Sequence, residues 1–123
     1  MHRAEPIRGD GVSTVHVRYA RKLPHKAARL SALVMMLRGI EPEAGLLDRA
    51  RREAHQLKGT AAAYGFAAVS SIAARIEERL AVGTAGVDWM VVSGLVDELV
   101  LAAKVQCESA LISPGGDIAS PHA

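Results

Sequence analysis

Aromatic side chains are nearly missing from this chain: one Trp, two Tyr and one Phe serve 123 residues, although half of them are hydrophobic. A core without aromatic bulk has to be aliphatic and alanine-rich, which suits helices packed closely on helices. A single cysteine, Cys107, excludes an internal disulfide framework and fits a reducing compartment. The N-terminal "MHRAEPIRGDGVSTVHV" has no apolar run of signal-peptide length, and no later stretch reaches a membrane span. A cytoplasmic protein with no membrane attachment is expected. His2, His16, His25 and His122 pair with no Cys, Asp or Glu at metal-ligand spacing, so no metal site is expected. A phosphate-cradling glycine loop is also lacking, which leaves no visible way to bind ATP and implies no intrinsic cofactor.

Charge of one sign is scarce in each half. Residues 1–38 carry a net +6, residues 39–65 are neutral and residues 66–123 carry −4, giving the overall +2. A basic front half points to an acidic partner surface. Nucleic acid is disfavoured as that partner, because no aromatic stacking platform accompanies the charge.

What is present is helical periodicity. The length is enough for one domain with its own core. Pro24 suits the first turn of a helix running to about Arg38, with Leu23, Ala27, Leu30, Val34 and Leu37 on one stripe. After the connector "GIEPEAG", a second helix reaches Tyr64 with Leu47, Ala50, Ala54, Leu57, Ala61 and Tyr64 inward, punctuated by Gly65. A third, about 66–81, turns Val69, Ile72, Ala73, Ile76 and Leu80 inward. A fourth, about 87–111 and capped by Thr84 or Asp88, buries Val92, Leu95, Val96, Leu99, Ala103 and Val105. Residues 13–20 form a possible short leading helix. The expected fold is all-α, an antiparallel four-helix bundle over residues 13–112, with flexible tails at 1–12 and 113–123.

One stretch of the second helix is unusual: "AHQLKGTAAAYGF", residues 54–66. At ~100° per residue, His55 points about 135° from the stripe's centre, toward solvent. Gly59 lies within about 40° of its direction and Ala62 within about 20°. Lys58 stands about 60° round toward the buried edge, and Arg52 one turn before the histidine. An exposed mid-helix glycine costs about 1 kcal/mol relative to alanine, so Gly59 needs a reason. Clearance for a body approaching the imidazole is one. An ordinary surface histidine beside an unremarkable glycine reads equally well from geometry alone.

The string "AHQLKGTAAAYGFAAVSSIAARIE" resembles the histidine phosphotransfer (HPt) domain of bacterial phosphorelays. The family pattern is matched by His55, Leu57, Lys58, Gly59, Thr60, Gly65, Val69 and the pair Ile76-Glu77. Upstream, "YARKLPHKAARLSAL" is similar to the family's preceding segment. The resemblance covers about residues 15–105. It implies that His55 is the phosphoacceptor, attacking a receiver's aspartyl phosphate through its distal nitrogen and passing the group to another receiver. Imidazole is a nucleophile at neutral pH without a dedicated base. Lys58 would offset charge on the phosphoryl oxygens, and Gly59 would leave room beside the modified ring. Arg51 and Arg52 are expected to add to that field, with Gln56 and Ala62 also on the landing surface. Glu77 is read as structural. Lys22, Lys26 and Arg29, spaced i, i+4, i+7, form either a solvated face or a surface for an acidic receiver.

The resemblance implies receiver domains as partners, with a hybrid sensor kinase upstream and Mg²⁺ on the receiver alone. A monomeric, stand-alone carrier is expected, although exposed valines such as Val91 and Val100 would favour self-association. A docking module that never accepts phosphate is the alternative. The connector "RGIEPEAGLLD" and the valine-rich fourth helix depart from the family pattern.

Overall fold

The computed structural model describes the backbone of residues 4–39, 45–83 and 86–119, and the side chains of 14–39, 45–83 and 86–112. Four helices make it up: α1 (Ala4–Leu37), α2 (Leu46–Ala63), α3 (Ala67–Leu80) and α4 (Trp89–Ala119). Each packs on two others in the order α1, α2, α3, α4 and back to α1, so α2 and α4 stand diagonally across the core. Contacts such as Tyr19–Thr60 and Arg29–Glu53 between α1 and α2, or His55–Glu77 between α2 and α3, pair early residues with late ones. Neighbours therefore run antiparallel, and the expected four-helix bundle is the observed one.

The core follows the stripes. Leu23, Ala27, Leu30, Val34 and Leu37 of α1 are buried, as are Ala50, Ala54, Leu57 and Ala61 of α2 and Val69, Ala73, Ile76 and Leu80 of α3. On α4, Val92, Leu95, Val96, Leu99 and Ala103 join them. Corrections fall at the margins. Leu46 is buried where Leu47 was expected to be, and Ile72 is only partly covered. Val105 is 51% exposed, and Tyr64 projects at 38% exposure instead of lying between helices.

Pro24 does not begin a helix; it lies inside α1. A proline there removes one backbone hydrogen bond and usually kinks or breaks a helix. Helix survives because Tyr19, Ala20 and Leu23, upstream of the ring, are buried on the same face as Ala27 and Leu30. Burial of a continuous stripe outweighs the local defect. The backbone of α1 and α4 runs on as helix through 4–12 and 113–119 of the segments expected as tails, whose side chains lie outside the described residues, and the short leading helix expected at 13–20 is part of α1. Of the two proposed caps of α4, Thr84 lies outside the described residues, whereas Asp88 Oδ1 accepts from the N–H groups of Met90 and Val91 at 3.1 and 3.3 Å.

The α2–α3 turn sets the height of everything on those two helices. Gly65 adopts φ 87°, the Phe66 N–H donates to the Ala61 carbonyl and the Gly65 N–H to that of Ala62. That is a Schellman ending, with the glycine in the left-handed conformation and buried Phe66 clamping the turn to the core.

Leu99, fully buried on α4, is the test of this core. Leu99→Ala is expected to cost about 2–5 kcal/mol in urea unfolding. A loss below about 1 kcal/mol, the scale of surface substitutions, would contradict the packing described.

Candidate functional site

The outward row of α2 faces solvent, as its position off the buried stripe predicts. The His55 side chain is 67% exposed. Its ring is nonetheless fixed, with Nδ1 2.8 Å from Glu77 Oε2 on α3. The other carboxylate oxygen, Oε1, is 2.8 Å from Lys58 Nζ. One carboxylate thus joins the histidine to the lysine one helical turn away. The turn explains the meeting: His55 and Glu77 lie ten and twelve residues from Gly65 on either side, so antiparallel helices bring them level.

The Glu77 carboxyl is held below its ordinary value of 4.5. The hydrogen bond from Lys58 is the largest cause, partial burial opposes it, and the bond with His55 adds to the lowering. Ionised at neutral pH, the carboxylate is acceptor-only. Nδ1 must therefore carry the proton it donates, which leaves Nε2 of a neutral ring as a free lone pair. The Lys58 ammonium has three donors, and the Glu77 contact uses one of them.

Backbone and neighbouring side chains brace this face. Ser70 Oγ donates to the Lys58 carbonyl at 2.9 Å, locking the start of α3 onto α2. Thr60 Oγ1 donates to the Gln56 carbonyl at 2.9 Å, one turn back. Since its single proton is spent there, the Tyr19 hydroxyl is the donor in the 2.6 Å contact between Tyr19 and Thr60. Burial pushes the Tyr19 pKa up, so the phenol keeps its proton. Tyr19 also stacks on Tyr64, and His16 stacks on Phe66 while Nδ1–H donates to the Tyr64 carbonyl at 3.0 Å. These contacts fasten α1 to the end of α2.

Gly59 has no internal reason to be glycine: a Cβ built there meets nothing within 4 Å. Ala62 and Ala63 beyond it are exposed as well. Beside His55, the helix surface is low and flat, and nothing inside the bundle demands it.

The basic residues divide. Arg52 pairs with Asp48 at 3.2 Å and Arg51 approaches the same carboxylate at 4.0 Å. Arg29 reaches across from α1 to Glu53 at 3.2 Å. Lys22 is exposed and Lys26 half-buried, and neither is ion-paired among the described residues. Interpolating between the Tyr19–Thr60 and Arg29–Glu53 contacts, both lysines stand at the height of His55 and Lys58. Gln56 is exposed next to the histidine. No group of three or more His, Cys, Asp or Glu able to hold a metal ion occurs among the described residues. Among them, too, no helix is long and apolar enough to cross a membrane.

Sequence reasoning placed His55, Lys58 and Gly59 on one face but read Glu77 as structural. The signal that finds it is its near-equal distance from the turn glycine, together with an outward position on α3.

Residues 18–104 match the family model of the Hpt domain, a span that holds His55, Lys58, Gly59 and Glu77. The comparison with curated proteins gives no match, and neither does that with solved structures. With well over half of its length matched and four helices closing the expected bundle, the chain belongs to the Hpt domain family, the phosphotransfer modules that meet receiver domains in phosphorelays.

Proposed function

We propose that this protein is a phosphoryl carrier in which Nε2 of His55 takes a phosphoryl group from a receiver aspartate and gives it to a second receiver. The observation that carries the reading is the commitment of Nδ1 to Glu77 on an exposed ring, so that the neutral imidazole has its lone pair on the outward Nε2. In the step, the Nε2 lone pair forms the N–P bond, the aspartyl O–P bond breaks and the receiver's carboxylate leaves. No proton has to move. The ring that results bears phosphorus on Nε2 and a proton on Nδ1, and its positive charge faces the Glu77 carboxylate at 2.8 Å. The reverse step needs no proton either, which suits a carrier. Lys58 has donors left for the phosphoryl oxygens, and Arg51 and Arg52 add positive field.

A receiver settles on the flat surface of Gly59 and Ala62, with Gln56 at its edge and Lys22, Lys26 and Arg29 meeting its acidic side. Magnesium belongs to the receiver in this scheme, a hybrid sensor kinase supplies the relay, and the carrier itself works in the cytoplasm.

Incubation with a labelled phosphoreceiver tests the assignment. Acid-labile, base-stable label should appear on wild type and be absent from His55→Gln. Label on His55→Gln would transfer the role elsewhere, and none on wild type from any receiver would favour a docking module. Glu77→Ala should slow transfer roughly tenfold, the equivalent of about 1.4 kcal/mol for one charge-assisted bond. Glu77→Gln, which still offers Nδ1–H an acceptor, should recover most of that rate.

Gly59 separates stability from function. Gly59→Ala should raise stability by about 0.5–1 kcal/mol, since the added Cβ meets open space and helix propensity improves. Gly59→Met should stay folded yet transfer at least tenfold more slowly, by about 1.4 kcal/mol of lost approach. Undiminished transfer in Gly59→Met would remove clearance as the glycine's purpose.

The Glu77 network also predicts a pH dependence. The folded value lies below the unfolded one, so its stabilising effect is present above about 4.5 and is lost as pH falls through the depressed folded value. In urea melts, the stability gap between wild type and Glu77→Gln should hold from pH 7 to about 5 and close in more acid solution. A gap unchanged at pH 3 would contradict the ion pairing.

A further inference from the structure

The outer face of α4 carries four large exposed apolar side chains, with Gly94, Asp97 and Glu108 set between them. Met90, Leu101, Val105 and Ile112 are 83, 62, 51 and 67% exposed. At 100° per residue, all four lie within about 40° of the Leu101 direction, on a row about 33 Å long. Apolar residues scattered singly need no explanation, but a row of this length marks an interaction surface. It points away from α2, because α4 packs on α1 and α3, across the core from the helix that bears His55.

The charges along the row say what covers it. Asp97 and Lys104 are exposed on the same flank, about 40° and 60° from the Leu101 direction. Neither is ion-paired within the chain among the described residues. Consider a second α4 laid antiparallel across a two-fold axis at Leu101. Residues whose numbers add to about 202 then meet, and the flank is preserved across the dyad. Leu101 packs on the partner's Leu101, and Met90 on the partner's Ile112. Lys104 comes opposite the partner's Asp97, and Asp97 opposite the partner's Lys104, with an axial offset of about 1.5 Å. Gly94, where an added Cβ would meet open space, leaves room for the partner's Glu108. By the same sum Val105 comes level with the partner's Asp97, on the opposite flank, so the reversal sets the apolar centre and ends on themselves and the acid beside the base, as an isologous contact requires.

We infer that the protein forms a two-fold dimer through antiparallel pairing of α4, with Leu101 at the dyad and two Asp97–Lys104 pairs fixing the register. This replaces the expectation of a monomer. The His55 faces of both protomers remain open, so two receivers are able to dock at once. The inference does not rest on the phosphocarrier reading, and its measurement is independent of label transfer.

Sedimentation equilibrium of the full chain, with helicity followed by circular dichroism, tests it. Wild type should move from 13.0 kDa toward twice that mass as concentration rises through about 10 μM. Leu101→Glu should stay monomeric with helicity unchanged. Asp97→Lys and Lys104→Asp should each weaken association about tenfold or more, and the double exchange should return it to within about threefold of wild type. A wild type that stays monomeric at about 1 mM, or a Leu101→Glu dimer, overturns the proposal. A double exchange no better than the single ones overturns the register. Leu101→Glu should label like wild type at His55, because α4 lies across the core from that ring.

Discussion

A single carboxylate, that of Glu77, decides what the exposed face of this bundle is able to do. An imidazole on a helix surface is ordinarily free to spin about its side-chain torsions and to carry its proton on either nitrogen. Here Oε2 takes the Nδ1 proton of His55 and Oε1 takes Lys58. The ring is thereby oriented, its outer nitrogen is the one turned to solvent, and a cation is parked beside it. Salt bridges this exposed contribute little to stability. Their effect lies in selecting one tautomer and one orientation out of several, and that needs only a modest energy difference.

Such a contact forms only if α2 and α3 keep a fixed axial register, and the register rests on the turn between them. Gly65 takes the left-handed conformation, Phe66 is buried against the core, and Ser70 ties the first turn of α3 to the Lys58 carbonyl. Small buried residues at Ala50, Ala54, Ala61 and Ala73 allow close approach of the helices, so that a glutamate side chain spans the gap. Thr60 shows how the polar groups on this face share donors. Its proton goes back to Gln56, and its lone pair takes the proton of Tyr19 from α1. The aromatic deficit thus has a counterpart in placement, with three of the four aromatic rings gathered where α1 meets the end of α2.

Much of this was legible in the sequence, for reasons that can be named. The buried positions of α1, α2 and α3 recur at three and four residues, and no other arrangement hides them together. His55, Lys58 and Gly59 were placed by the same arithmetic. Pro24 misled because a local rule about helix starts competed with a stripe that runs through it, and long-range burial prevailed. Tyr64 misled because hydrophobicity suggested burial, while stacking on Tyr19 at the helix end satisfies the ring at the surface. Glu77 was hard to read because its role is relational. The family pattern includes the pair Ile76-Glu77 without saying what the carboxylate meets, and only the height of the hairpin pairs it with a residue 22 positions earlier.

The fourth helix illustrates a deeper limit of periodicity. Its mean composition is so apolar that a buried stripe and an exposed one are written in the same letters, and Val105 was assigned to the wrong one. Hydropathy cannot distinguish a face covered by the chain's own helices from a face covered by another molecule. Charge can, because Asp97 and Lys104 would be intolerable inside the bundle and so mark which side looks outward. The two functional faces differ accordingly. That of α2 is stripped to glycine and alanine, leaving space for a body that comes and goes, and that of α4 is furnished with side chains that gain from being covered for good. Placing them on diagonal helices lets both be occupied without either excluding the other.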